Sequence, residues 1–201
     1  LNSFKVLHDS CPPMSHAQVL RTVNEELGEG AFDSIDTVPL GVASLGQVNL
    51  CYKDGKRYAV KVQRRDLREK VLRDVSVFRV LAKAVDKLNI RIEGSVMDEN
   101  TNTNWFEIVG RCEQGMLEEL DYRRELKSAK EFKKNFDKVP WVRVPEVYEH
   151  LSTSKVLTME YLPGIKVSDV SSLIRSGIDP REVAVRHTQC YLEQICRHGL
   201  I

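Results

Sequence analysis

A single lysine, Lys61, stands among apolar residues in the segment "YAVKVQ". The alternation of this segment predicts a strand over residues 57–63, with Ala59 and Lys61 on one face and apolar side chains on the other. An ammonium group in the interior of a strand is costly to desolvate unless an anion meets it. The sequence therefore raises the question of which anion Lys61 binds.

The lysine strand belongs to a hairpin that begins with small residues. A first strand is predicted over residues 43–52, after the start of the segment "PLGVASLGQ", and the turn "KDGK" joins the two strands. Small residues let a backbone approach phosphate oxygens, a strand lysine reaches the same oxygens, and a helix glutamate holds that lysine in place. This layout is typical of a kinase nucleotide-binding lobe, in which Ala59 would form the floor for an adenine ring. On spacing alone, a surface lysine on an edge strand is an equally good interpretation.

Composition excludes several classes of function. The chain has 201 residues, 42% of them hydrophobic, which is enough for one substantial domain or one and a half small ones. With 30 basic and 29 acidic residues, nothing indicates a nucleic-acid-binding surface. The five cysteines are scattered without a CxxC pair, so we expect neither a disulfide framework nor a metal site. No apolar run approaches the roughly 18 residues of a membrane span.

Periodicity and capping signals predict the remaining elements. They are a helix over 15–27 with a capping box, a helix over 65–88, a polar loop over 93–104, a long helix from Trp105 to about Phe136, two strands around the turn "STS", a helix over 169–176, and a helix from Pro180 to about His198. Strands are clustered and helices are inserted between them. This order predicts an α+β fold.

Four segments together resemble one protein family. They are "PLGVASLGQV", "YAVKVQR", "EELDYRREL" and "STSKVLTMEYLPGIKV", and they closely resemble the UbiB family of atypical kinases, also called aarF-domain kinases. The resemblance covers essentially the whole chain. It implies an N-terminal helical extension over 1–38, a protein-kinase-like lobe over 39–162 with a helical insertion at about 65–104, and the first helices of the C-lobe over 163–201.

The resemblance also implies the site. Glu125 corresponds to the helix glutamate that pairs with the strand lysine, and Glu119 and Asp121 correspond to the family's ExD motif. The expected nucleotide-binding residues, besides Lys61 and Glu125, are Gly41, Ala43, Ser44, Gln47, Ala59, Met159, Glu160, Tyr161 and Leu162. From the residues alone, Asp121 and Glu125 are four apart and share a helix face, which a solvated charged helix would also explain.

The loop departs from the family at its start. Gly41 and Val42 stand where the family usually has alanines. Glycine at this position gives the backbone more freedom, so a nucleotide preference attributed to the alanines does not carry over without a test.

Two family motifs do not occur in the 201 residues: the upstream Lys-x-Gly-Gln segment and the catalytic loop with its metal ligands. We therefore expect this stretch to bind ATP without turnover, and Mg²⁺ to be held only together with the missing C-terminal part. The family implies an atypical kinase or ATPase that supports coenzyme Q or other prenyl-lipid metabolism, with membrane or lipid-biosynthesis proteins as partners, in mitochondria or plastids. The alternatives are a pseudokinase-like module that senses nucleotide or docks partners, and a small-molecule kinase.

Overall fold

The computed structural model describes residues 11–88 and 104–199, and it is built around one antiparallel sheet. The strand order is β1-β2-β3-β4, so the lysine strand, β3, is an inner strand. The strands are β1 (Ser34–Val42), β2 (Gly46–Lys53), β3 (Lys56–Gln63) and β4 (Val156–Glu160). An inner strand buries its apolar alternate residues, and Val60 and Val62 are fully buried.

In the two described ranges, six α-helices accompany the sheet. They are α1 (His16–Leu27), α2 (Leu67–Leu88), α3 (Trp105–Glu119), α4 (Tyr122–Asn135), α5 (Val170–Arg175) and α6 (Pro180–Cys196). The α+β class and the kinase-like N-lobe expected from the sequence are confirmed. Within the described residues, none of the helices is both long enough and apolar enough to cross a bilayer.

A helix covers each face of the sheet. On one face, Val19 and Val23 of α1 join Val60, Val62 and Val156 in a buried cluster. On the other face, the face of Lys61, the residues Tyr122 and Leu126 of α4 pack with Val147 and Leu157. The sheet thus separates two apolar clusters, and α4 carries Glu125 to the face that holds Lys61.

The predicted first helix is confirmed together with its cap. The Ser15 hydroxyl accepts the Gln18 N–H while the Gln18 side chain accepts the Ser15 N–H, which is a complete capping box. Gly28 ends the helix with φ 89°, a value that favours glycine.

Strand β1 was not predicted. The small residues from Pro39 onwards predict a loop, but Pro39 to Val42 complete a strand that begins at Ser34. β1 is an edge strand, irregular on either side of Pro39, and its mostly exposed residues leave no clear alternation to recognise. The predicted boundary between residues 38 and 39 therefore falls inside this strand.

The prediction of one continuous helix from Trp105 to Phe136 is wrong, because the helix is interrupted at Leu120 and Asp121. Asp121 adopts an extended conformation, and its carboxylate accepts the Arg123 N–H as the N-cap of α4. Aspartate favours an N-cap over a helix interior, so Asp121 was a signal for the break that the helical pattern on both sides of it obscured. The break turns α4 onto the sheet.

The prediction of two strands around the "STS" turn is half correct. Only β4 forms a strand, and the preceding segment contributes a single bridge, Val147 to Met159, and a 3₁₀ turn at Glu149–Leu151. The predicted helices over 65–88, 169–176 and 180–198 are confirmed within two residues at each end. The polar loop predicted over 93–104 lies outside the described residues except for Asn104, which caps α3.

Candidate functional site

Lys61 and Glu125 form an ion pair across 64 positions of sequence. Lys61 Nζ lies 2.5 Å from Glu125 Oε2. The Lys61 side chain is 24% exposed and that of Glu125 is 44% exposed, so the ammonium is only partly buried, contrary to the sequence expectation. The carboxylate answers the question raised by the strand lysine, and the remaining exposure leaves room for a second anion.

The strand register collects several predicted residues on the face of Lys61. Directly opposed residues of antiparallel strands point to the same side. One row runs Gly41, Val48, Lys61 and Leu157, and the next row runs Leu50, Ala59 and Met159. The sheet therefore brings Gly41, Ala59, Lys61 and Met159 together on one face.

The turn between β1 and β2 is short and held by its own backbone. The Ala43 N–H donates to Gly46 O at 2.8 Å, and the Arg64 N–H donates to Leu45 O at 3.0 Å. The Arg64 guanidinium also donates to Ala43 O and to Pro12 O. Ser44 is exposed at the tip. The turn is therefore anchored to the end of β3, close to the lysine strand.

Gln47 lies on the opposite face of the sheet from Lys61. It pairs with Val62, its Oε1 accepts the Met14 N–H at 2.7 Å, and its Nε2 donates to Asn49 Oδ1. The side chain is buried, and both its polar atoms are used in the interior. The structure thus shows Gln47 joining the N-terminal segment to β2.

The predicted adenine-edge residues lie at the end of β4. The Glu160 N–H donates to Glu146 O, and the Glu160 carboxylate accepts from Arg143 at 2.6 Å. Tyr161 lies under the Arg57 guanidinium, 5.2 Å from the ring centre. Leu162 follows in chain without regular secondary structure. The side chains of Glu160 and Tyr161 therefore have protein partners.

The ExD residues flank the helix break rather than lying on one helix. Glu119 is the exposed last residue of α3, and Asp121 is the N-cap of α4, so Asp121 and Glu125 bracket the first turn of α4. Asp121 also borders an open crevice of about 520 Å³ between α2, α3 and α4. Glu118 lines the same crevice, and hydrogen bonds from Arg124 and Gln114 hold the pKa of its carboxyl below its usual value.

Sequence reasoning missed two residues that support the pair. Gln63 is buried, and its Nε2 donates to Leu120 O at 2.7 Å, which ties β3 to the α3–α4 break. Tyr122 lies under the Lys61 ammonium, with Nζ 4.7 Å from the ring centre. Both residues could have been found from the sequence, because Gln63 is on the predicted face of Lys61 and Tyr122 is three residues before Glu125.

A four-stranded antiparallel sheet, a strand lysine and its helix glutamate define a protein-kinase-like N-lobe. The chain belongs to the ABC1 atypical kinase-like domain family, which matches residues 6–201.

Relatives come from plants, cyanobacteria and animals. The chain is 36% identical to "Protein ACTIVITY OF BC1 COMPLEX KINASE 8, chloroplastic" of Arabidopsis thaliana over 96% of its own length and 25% of the relative's. It is 36% identical to the uncharacterized protein sll1770 of Synechocystis, over 96% and 32%. It is 30% identical to the AarF domain-containing protein kinase 1 of Xenopus laevis, over 99% and 37%.

A solved structure is also similar. The complex of Rv3197 with erythromycin from Mycobacterium tuberculosis has a TM-score of 0.61 and 25% identity, covering 83% of this chain and 39% of that one. The chain thus spans about a quarter to two fifths of the proteins it matches.

Proposed function

We propose that this lobe binds ATP on the sheet face that carries Lys61, as part of an ABC1-type atypical kinase or ATPase. The observation that carries the proposal is the Lys61–Glu125 pair at 2.5 Å, which holds a cation on an open part of the sheet. An ammonium with three donors can bind a carboxylate and still donate to a phosphate. Glu125 would orient Lys61, and Lys61 would bind a phosphate oxygen.

The neighbouring residues fit a nucleotide. A Cβ added at Gly41 would meet no atom within 4 Å, so this end of the Lys61 row has free space for phosphates. Ala59 and Met159 are opposed in the next row and offer a small apolar surface for a base. Ser44 would contribute backbone at the turn, and Tyr161 and Leu162 would contribute it at the adenine edge, whereas the N–H groups of Ala43 and Glu160 already donate within the protein. Gln47 would act indirectly, by fixing β2.

The wider role follows from the family. We propose that the protein supports coenzyme Q or another prenyl-lipid pathway, with Mg²⁺ accompanying ATP in the full-length enzyme. The chloroplastic names of several relatives support a plastid location. Membrane or lipid-biosynthesis proteins are the partners that this role requires.

The proposal is tested by titrating the full chain with a non-hydrolysable ATP analogue in a calorimeter. Lys61→Met and Glu125→Gln should each weaken binding about ten-fold or more, which corresponds to about 1.4 kcal/mol. The matched control is Lys155→Met, because Lys155 forms a comparable pair with Glu26 at 2.9 Å outside the Lys61 row.

Unchanged affinity in both Lys61→Met and Glu125→Gln would overturn the nucleotide assignment. Binding without phosphoryl transfer in the longest natural form of the protein would instead favour the nucleotide-sensing or partner-docking module. The two results separate the site from the reaction.

A further inference from the structure

Tyr122 begins α4 and is buried directly beside the lysine–glutamate pair. Its side chain is among the largest fully buried ones, and the residue is 2% exposed. It precedes Glu125 by three positions, so the two side chains project from the same face of α4. Both therefore reach the row of the sheet that contains Lys61.

The Tyr122 ring and the Glu125 carboxylate contact the same ammonium group. Lys61 Nζ lies 4.7 Å from the ring centre and 2.5 Å from Glu125 Oε2. The face of an aromatic ring carries a negative quadrupole that attracts a cation. A lysine side chain has four rotatable bonds, and one partner fixes them poorly. With two contacts, fewer directions remain for the ammonium.

The Tyr122 hydroxyl does not explain why a tyrosine is placed here. Among the described residues, Tyr122 Oη is the buried side-chain oxygen for which no hydrogen-bond partner is found. It lies under β2, because a Cβ built on Gly46 would stand 2.6 Å from Oη and 2.5 Å from Val62 O. Burial raises the pKa of this hydroxyl, so it stays neutral over the ordinary pH range. The ring, rather than the hydroxyl, makes the contact with Lys61.

We propose that Tyr122 is a positioning residue that holds the Lys61 ammonium against Glu125 and aims it at an anion on the open face. The inference rests on the proposed function for the identity of that anion, a nucleotide phosphate. The contact itself is independent of any ligand. A plain core residue would fill the same volume without affecting the chemistry of Lys61.

The test compares Tyr122→Phe, which keeps the ring, with Tyr122→Leu, which removes it. Lys61 is acetylated in the full chain without nucleotide, and its rate is measured by mass spectrometry relative to Lys155 in the same sample. Tyr122→Leu should raise the relative rate by about two- to five-fold, the size of one cation–π contact, and Tyr122→Phe should leave it unchanged. An unchanged rate in Tyr122→Leu, or an equal rise in Tyr122→Phe, would overturn the proposal.

A measurement on the unmutated chain guards against loss of folding in Tyr122→Leu. The ε-methylene protons of Lys61, assigned by their loss in Lys61→Arg, should resonate upfield of the other lysines because they lie over an aromatic ring. An ordinary chemical shift would contradict the contact whatever the variants do.

Nucleotide affinity then connects the contact to function. Tyr122→Leu should weaken binding of the ATP analogue by the same two- to five-fold. Tyr122→Phe, which keeps the ring, should bind the analogue as tightly as the unmutated chain does. If the unmutated chain binds no nucleotide, the proposed function fails, while the acetylation rates still decide the role of Tyr122.

Discussion

The Lys61–Glu125 pair contributes little to the stability of the fold. Both side chains keep contact with water, and partly exposed ion pairs of this kind contribute about 0–1 kcal/mol to folding. Glu125 reaches Lys61 only because α4 begins at Tyr122 and lies against the sheet. A helix break that brings two residues together for so little stability supports the proposed binding role of the pair.

Gly46 is the residue of the hairpin that cannot accept a side chain. A Cβ there would stand 2.5 Å from Val62 O and 2.6 Å from Tyr122 Oη, closer than real contacts allow. We expect Gly46→Ala to lower the free energy of unfolding by about 1–3 kcal/mol in a urea titration, the usual cost of overpacking. The matched control is Gly41→Ala, which meets nothing within 4 Å and should change it by less than about 0.5 kcal/mol.

Equal stability of the two alanine variants would show that β2 does not pass as closely over Tyr122 as described. Because a Cβ at Gly41 is sterically tolerated, Gly41→Ala also tests whether this glycine affects nucleotide preference. A changed ratio of ATP to ADP affinity would assign a role to the glycine that replaces the family's alanine.

The pair itself was predictable, but its surroundings were predictable only in part. Lys61 is marked by its isolation in an apolar strand, and "EELDYRREL" marks Glu125 through the family resemblance. The number of partners that the ammonium has depends on the break at Leu120, which brings the Tyr122 ring to the sheet. The position of Gln47 opposite Val62 follows from the register that the two-residue turn between Lys53 and Lys56 sets, so its face could have been derived from the sequence.

At the scale of elements, the α3–α4 break depends on the cap at Asp121. Its carboxylate accepts the Arg123 N–H. Replacing an N-cap aspartate by alanine costs about 1 kcal/mol, whereas asparagine caps equally well. We expect Asp121→Ala to lower the free energy of unfolding by about 1 kcal/mol and Asp121→Asn to leave it nearly unchanged.

The same two variants separate structure from chemistry in the ExD motif. If Asp121→Asn keeps stability and loses nucleotide binding or activity in the full-length protein, the charge has a role beyond the cap. If Asp121→Ala melts like the unmutated chain in thermal denaturation, the cap is not what begins α4.

Hydrogen bonds to Glu26 connect α1 to the turn before β4. Glu26 accepts hydrogen bonds from Lys155 at 2.9 Å and Thr153 at 2.7 Å. Burial raises the pKa of Glu26, but these hydrogen bonds outweigh it and hold the pKa below its usual value of 4.5. A carboxyl with a lowered folded-state pKa stabilises the fold above its unfolded-state pKa, and that stabilisation is lost as the pH falls through the folded-state value.

Glu26→Gln should therefore lower the free energy of unfolding by about 1 kcal/mol at pH 7 and flatten its decline below about pH 4.5. Urea titrations between pH 3 and 7 measure both effects. Glu182→Gln is the control, since Glu182 pairs with Arg186 on the exposed side of α6. If the free energy of unfolding of Glu26→Gln fell as steeply at acid pH as that of the unmutated chain, the hydrogen bonds of Glu26 would contribute nothing to stability.

Elements with strong local signals were predicted, whereas strand β1 and the single bridge before β4 were not predicted correctly. The capping box at Ser15 and the proline at position 180 fixed two helix starts. Strand β1 exists because β2 pairs with it, despite Pro39 and Gly41 in its sequence. The segment before β4 has apolar alternation but forms a single bridge, Val147 to Met159. The continuous pairing of β4 is with β3, on the opposite edge of β4.

The whole molecule places two different surfaces on one sheet. The α1 face is closed by a continuous cluster that includes Val19 and Val60. Among residues 11–88 and 104–199, α4 covers one end of the Lys61 face, and a Cβ at Gly41 in the same row would meet no atom within 4 Å. In this part of the chain, the face with the lysine is the more accessible face of the sheet.

The family resemblance was carried by four short segments, and the fold explains why they occur together. "PLGVASLGQV" supplies the end of β1, the turn and the start of β2, "YAVKVQR" supplies most of β3, "EELDYRREL" supplies the break and the first turn of α4, and the last segment supplies β4. Three of these segments lie in the sheet, and the fourth begins the helix that packs against it. Their co-occurrence is a more specific signal than any one of them.

The proposed contact between Lys61 and a nucleotide phosphate can be tested by a survey of every lysine in the chain. The full chain is treated with an acyl phosphate of ATP, which transfers its acyl group to an amine near the phosphates, and modified lysines are mapped by mass spectrometry. We predict modification at Lys61, suppressed by excess ATP and unaffected by Glu26→Gln. Modification confined to other lysines, or modification of Lys61 that ATP does not suppress, would contradict the account.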